Sequence, residues 1–306
     1  MPSVAHARPQ TALGSIAGIG INRPSSSVAL APRVTGSDVS GVSYRVHADQ
    51  GITTASLAAG AARAALDAAQ TNTSDIGMIV VGTSSPDVLW PSTACLVQTE
   101  LKLPMVAAFD LYAAQASLLT ALDVGIRFVD AESKAVLVIG ADSDNQLVDL
   151  PGQGAKVKGR AAGAAVLRAA DGSGGVLSTV VQGAGRSHAG QGGDAAGLDS
   201  LRDAVDECLA RAGVKLADID LVIADQAAPD AMRSWAKAVG VDGQRLLLDP
   251  SRYGALLAAA PLAAIYDAAE SGRLKPGMVA LVLECGSGPV WAAACLAWNH
   301  VGVRAC

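Results

Sequence analysis

Aromatic residues are scarce in this chain: two Phe, four Tyr and four Trp supply 3% of its 306 residues. A core with so few rings must be filled by small side chains at close backbone approach, and 33 glycines suit helices layered on sheets. Charge is scarce as well, at 17% against 51% hydrophobic residues, so material for a large core is present. Length favours two domains or one duplicated domain. The net charge of -5 argues against a nucleic-acid or anionic-membrane surface. No segment approaches the ~20 uninterrupted apolar residues of a membrane span, and Met1–Gln10 lacks the charged-then-apolar layout of a signal peptide. A cytoplasmic protein is expected. The five cysteines (Cys95, Cys208, Cys285, Cys295, Cys306) are odd in number, far apart and without CxxC spacing, so neither a zinc site nor a disulfide framework is indicated. No metal and no cofactor is expected. His6, His47, His188 and His300 share no spacing and read as solvated or structural.

What is present centres on Val106–Ala121, VAAFDLYAAQASLLTA: a short apolar run, an Asp, then an Ala-rich segment of helical composition without Gly or Pro. A strand feeding a helix through a tight turn aims the helix's unpaired N-terminal amides at the residue on the turn, here Gln115. Such a position suits a nucleophile, because the positive helix end stabilises a thiolate. A carboxamide has no such chemistry. Ser117, two residues on, is rotated by about 200° and points away from the turn.

Around this turn the chain alternates strands and helices. Gly14–Ile21 reads as an opening strand, Thr53–Ala69 as a helix with an inner stripe of Leu57, Ala61, Ala64, Leu66 and Ala68, and Asp75–Thr83 as a strand buried on both faces. Pro91–Leu101 reads as a helix with Pro in its first turn, Lys134–Ala141 as another buried strand, and Ala162–Arg168 as the start of a further one. The order then repeats. Ser74–Asp87 (SDIGMIVVGTSSPD) matches Ala217–Asp230 (ADIDLVIADQAAPD) without a gap, and Lys134–Ala141 matches Met278–Cys285 (MVALVLEC) at almost the same offset. Two similar α/β halves, 1–175 and 176–306, are expected, with the seam near Gly172–Gly197 and the Gly-rich Gly183–Gly197 as a loop or linker.

These runs, densest in GTSSPDVLWPSTACLVQTEL (Gly82–Leu101), AFDLYAAQASLLTAL (Ala108–Leu122), KAVLVIGAD (Lys134–Asp142) and LVLECGSGPVWAAA (Leu281–Ala294), resemble the thiolase-like superfamily. The resemblance is strongest to the type III ketosynthases, the FabH-like β-ketoacyl-acyl-carrier-protein synthases. It implies an α/β fold of five layers, αβαβα, made of two duplicated halves, and a dimer. It also implies three catalytic positions. A Phe-Asp-x-x-Ala-Ala-Cys run keeps Phe109, Asp110, Ala113 and Ala114 but carries Gln115 in place of the nucleophile. A His-Gln-Ala-Asn run reads Asp225, Gln226, Ala227, Ala228, and the Asn after a Tyr-Gly pair is Ala255, following Tyr253 and Gly254.

Condensation needs a thiolate to hold the acyl group and neutral donors for the developing negative charge, so the degenerate set Gln115, Asp225 and Ala255 implies no independent condensing activity. Chain-length factors, the silent partners of polyketide ketosynthases, resemble this case in carrying Gln at the nucleophile position. The resemblance therefore implies a silent subunit paired, as a heterodimer or heterotetramer, with an active ketosynthase in polyketide or fatty-acid-derived metabolite synthesis. Two other readings stay open: an acyltransferase or cyclase with Asp225 as general base, and a homodimeric acyl or small-molecule binder. In the family a bulky residue before a Pro-Ser-x-Ala run crosses the dimer interface and floors the partner's acyl tunnel; Trp90 and Pro91 match that place, the alternative being an indole buried in its own subunit. The Arg after the family's carrier-docking motif is Asp230, leaving Arg233 and Lys237 on the same expected helix as possible contacts for an acyl carrier protein, or as a solvated face. Cys285, at a strand end, reads as packing.

Overall fold

In the computed structural model, residues 11–23, 27–29, 44–46, 52–113, 116–129, 134–143, 160–183, 194–224, 226, 229–253, 256–285 and 290–306 are described. The chain runs through β1 (Ser15–Asn22), the short strands β2 (Ser27–Ala29) and β3 (Tyr44–Val46), α1 (Thr54–Ala68), β4 (Ile76–Gly82), α2 (Thr93–Leu101), β5 (Ala107–Leu111), α3 (Ser117–Arg127), β6 (Ala135–Asp142) and β7 (Ala161–Arg168). It continues with β8 (Gly175–Gly183), α4 (Asp194–Ala212), β9 (Leu221–Ile223), α5 (Pro229–Val239), β10 (Leu246–Leu247), α6 (Pro250–Tyr253), α7 (Ala260–Glu270), β11 (Val279–Cys285), β12 (Val290–Ala297) and β13 (Gly302–Ala305).

The repeat seen in the sequence reappears as one pairing pattern used twice. The larger sheet has the order β13-β1-β7-β6-β4-β5 and the smaller β8-β12-β11-β9-β10. In both, two antiparallel contacts (β1 with β7 and β7 with β6; β8 with β12 and β12 with β11) lead into two parallel ones (β6 with β4 and β4 with β5; β11 with β9 and β9 with β10). Because side chains alternate along a strand, each sheet feeds two cores. Ile79, Val81, Leu137 and Ile139 face outward onto α1 and α2, whereas Val80, Val136 and Val138 face inward onto α3. From the second sheet Leu221, Ile223, Ala280 and Val282 face α7 in that same inner core, and Val222, Leu281 and Leu283 face α4 and α5. The layers are therefore α, β, α, β, α, with α3 and α7 in the middle.

β13 crosses back to the edge of the first sheet, parallel to β1. Three expectations need correction. The strand β8 already occupies Gly175–Gly183 and α4 begins at Asp194, so the expected linker shrinks to 184–193, which lies outside the described residues. The second helix starts at Thr93 and not at Pro91: Ser92 is its cap, its hydroxyl accepting from the Cys95 amide at 3.3 Å, and Asp110 accepts the Thr93 and Ala94 amides at 2.7 and 2.8 Å. On α1 the expected stripe widens to nearly the whole circumference, Ala55, Ala58, Ala59, Ala62 and Ala65 being buried too, while Ala68 is only half-buried.

Candidate active site

The carboxyl ends of β4 and β6 in one half and of β11 in the other meet the start of α3 and the segment that leads into α7. Glycine makes the approach possible. A Cβ at Gly82, the last residue of β4, would overlap the Ser117 carbonyl of α3, and one at Gly140 of β6 would overlap the Ala258 carbonyl just before α7. Both helices thus sit against backbone where any other residue would hold them off.

Asp142, at the end of β6 and fully buried, ties the surrounding turns together. Its carboxylate accepts from the Ser84 amide (2.8 Å), the Ser85 hydroxyl (2.8 Å), the Thr83 hydroxyl (3.4 Å) and, from the other half of the molecule, the Ala258 amide (3.0 Å). Burial pushes this carboxyl above the ordinary range, and the four donors pull against that shift without reversing it. Thr54 and Ser143 extend the network, the Thr54 hydroxyl donating to the Ser85 carbonyl at 2.6 Å and lying 2.5 Å from the Ser143 hydroxyl.

A second buried carboxylate reaches the helix that carries the turn. Glu284, 2% exposed near the end of β11, accepts the Leu119 amide in the first turn of α3 at 2.8 Å through Oε2. Gln226, also 2% exposed, donates from Nε2 to the carbonyls of Ala224 (2.5 Å) and Leu247 (3.0 Å) and accepts the Asp249 amide at 2.7 Å. It clamps the exit of β9 to the exit of β10, and thereby to α6. Tyr253 at the end of α6 donates to Asp267 of α7 at 2.7 Å, where Arg23 makes a bidentate pair (2.8 and 2.9 Å) and Arg252 adds a third contact at 3.0 Å. Burial would raise the Asp267 carboxyl, but Arg23, Tyr253 and Arg252 together hold it below the usual carboxylate range.

Gln115, Asp225 and Ala255 lie outside the described residues, as do Ala114, Ala227, Ala228 and Gly254. Their chain neighbours are the residues just placed: Ala116 caps α3, Gln226 follows β9, and Tyr253 ends α6. Ser117 is fully buried and its hydroxyl accepts the Ala113 amide at 3.0 Å, so it reaches back to the turn and does not point away from it as its rotation along the helix predicted. Trp90 is 85% exposed, which removes the reading of an indole buried in its own subunit; Pro91 is half-buried. Arg233 and Lys237 are both on the exposed face of α5, with Met232 and Trp235 on its buried face, and Arg233 pairs with Asp230 at 2.9 Å. Cys285 is half-buried against the outer core of the second sheet. Burial pushes the Cys208 and Cys295 thiols up, to about 11 and about 12, so neither is a nucleophile at neutral pH. His300 is exposed; His6, His47 and His188 lie outside the described residues.

Sequence reasoning missed Glu284, Asp142 and Gln226. The signal for Glu284 was a single charged residue in the otherwise apolar run VALVLEC. Among the described residues no group of three or more His, Cys, Asp or Glu could hold a metal, and no helix is long and apolar enough to cross a membrane.

Two family models match the chain: 3-oxoacyl-[acyl-carrier-protein] synthase III over residues 109–185 and its C-terminal part over residues 209–298. A β-ketoacyl-[acyl-carrier-protein] synthase III of Rhodospirillum centenum is 32% identical over 284 residues, 84% of this chain and 88% of that protein. The chain belongs to the ketosynthase III family. A Roseobacter denitrificans member is 33% identical over 286 residues, 85% of this chain and 88% of its own length. Among solved structures, the Aquifex aeolicus synthase III superposes with a TM-score of 0.80 at 26% identity, covering 93% of this chain and all of that one. The thiolase-like fold and the family are thus common to sequence and structure.

Proposed function

We propose that this chain is a catalytically silent ketosynthase III subunit that pairs with a catalytically complete family member and shapes that partner's acyl site. The observation that carries the proposal is the residue set itself: where the resemblance places Cys, His and Asn, the chain has Gln115, Asp225 and Ala255. A carboxamide cannot hold an acyl group as a thioester, an ionised Asp repels the enolate and oxyanion that a neutral donor would stabilise, and an Ala methyl donates nothing. Losing members of a site that acts as a unit removes turnover as completely as losing all of it.

The surface supports pairing. β5 is hydrogen-bonded to β4 alone among the described residues and so leaves one edge open. Met105 (98% exposed) and Tyr112 flank the strand in the chain, and Leu89 (88% exposed) and Trp90 lie just before α2, whose first amides are held by Asp110 of β5. An open edge rimmed by large apolar side chains is unfavourable in a lone subunit and favourable when a second strand and its own apolar rim cover it. A partner of the same family, with the same sheet, matches that edge in shape and chemistry.

Co-expression with a Cys-bearing ketosynthase III from the same genome tests the proposal. A stable complex should co-purify, and intact-mass spectra after incubation with acyl thioesters should show the acyl adduct on the companion only. A covalent acyl group on this chain, or product formed by it alone, overturns the proposal; if such turnover falls with Asp225→Asn, the general-base reading takes its place.

A further inference from the structure

We propose that Glu284 makes the N-terminus of α3 unfit to support a thiolate, so that the missing nucleophile is only half of what silences the site. The inference rests on the silent-subunit reading in that residue 115 no longer has to ionise.

A helix N-terminus presents unpaired amides and a partial positive charge, and its capacity to stabilise an anion is limited to the first turn. In this chain part of that capacity is already taken. The Glu284 Oε2 takes the Leu119 amide, the third residue of α3, at 2.8 Å. Strand alternation fixes the direction: Leu283 faces the outer core and Val282 the inner one, so Glu284, two residues on from Val282, points into the middle layer where α3 lies. Residue 115 adjoins the same turn by chain connectivity, one residue before the Ala116 cap. A thiolate there would share one helix end with a buried carboxylate, and a like charge in the same site disfavours ionisation. The first half of the fold treats its other helix starts in the same way. Asp87 accepts the Thr54 and Ala55 amides of α1 at 2.7 and 2.8 Å, and Asp110 those of α2. Glu284 thus turns a reactive helix end into a structural one.

The test compares Gln115→Cys with Gln115→Cys/Glu284→Gln in the isolated chain, without companion or acyl substrate. The pH dependence of alkylation by iodoacetamide is followed on the peptide containing position 115, which separates the introduced thiol from the five native cysteines. Gln retains a carbonyl oxygen to accept the Leu119 amide but carries no charge. With Glu284 in place, the introduced thiol should titrate at or above the ordinary value of about 8.5; with Gln there, the midpoint should fall by about one unit or more and the rate at pH 7 should rise about tenfold. Superimposable profiles overturn the proposal. So does a midpoint below about 7.5 in the single variant, a result that needs no Glu284 substitution to fold. Because no partner enters the assay, its failure leaves the pairing proposal standing, and a failure to pair leaves this one standing.

Discussion

At the scale of single residues, buried carboxylates do most of the positioning, and each answers a need created by the backbone. Helices packed in layers bury their first amides, and water cannot reach them. Asp110 illustrates how far such a role is legible in sequence. It stands in the motif that carries the family resemblance, yet its partners, Thr93 and Ala94, lie a helix and a loop upstream and are brought to it only by the packing of α2 on β5. Asp142 and Asp267 make opposite contributions to stability. Asp142, raised by burial, stabilises the fold when protonated, an effect present below the ordinary carboxylate range and lost as pH rises through its folded value. Asp267, lowered by Arg23, Tyr253 and Arg252 against the cost of burial, stabilises the fold above that range and loses the effect as pH falls through its folded value. Asp267→Asn should therefore reduce stability by about 1–3 kcal/mol at pH 7, towards the lower end because Arg23 and Arg252 are partly exposed to solvent. Urea unfolding at pH 7 and at pH 3 should show the difference from the unsubstituted chain shrinking in acid.

At the scale of elements, the shortage of rings is met by backbone proximity. A Cβ at Gly20 would overlap the Ala61 carbonyl and one at Gly302 the Ala68 carbonyl, so α1 lies on β1 and β13 at a distance set by glycine. This is why its burial exceeds the predicted stripe: an Ala-rich helix pressed that closely has few faces left for solvent. The period of α1 was readable from its apolar spacing; its depth in the sheet was not, because depth depends on glycines that reach it from opposite ends of the chain. Gly140 does the same for the turn before α7. Gly140→Ala should displace Ala258, weaken its contact with Asp142 and cost about 1–3 kcal/mol, seen as a lowered melting temperature. Gly243→Ala, where a Cβ meets nothing within 4 Å, should stay within about 0.5 kcal/mol of the parent.

At the scale of the whole molecule, two sheets of one order enclose a shared middle layer, and among the described residues the first ends in an unpaired edge, β5, flanked by the exposed Met105 and Tyr112. The exposed indole of Trp90 bears on both. At 85% exposure it is not buried by the described residues, so its removal should cost the isolated fold little, whereas in a complex it is the kind of rigid anchor whose loss is felt. The double substitution Trp90→Ser/Tyr112→Glu should leave the melting temperature of the isolated chain within a few degrees and weaken complex formation with the companion ketosynthase at least tenfold, measured by light scattering over a dilution series. Unchanged association would place the contact on another face.

The sequence alone determined the layered α/β class, the internal repeat and the family, since composition, strand period and local motifs depend on near neighbours along the chain. Tertiary structure decided what lies far apart in sequence and close in space: that Glu284 of β11 reaches the first turn of α3, that Asp142 joins both halves through Ala258, that Gln226 locks two strand exits together, and that β13 returns to the first sheet. A buried polar group is placed by whichever donor the fold brings within about 3 Å of it, and that donor carries no mark in the sequence around either partner.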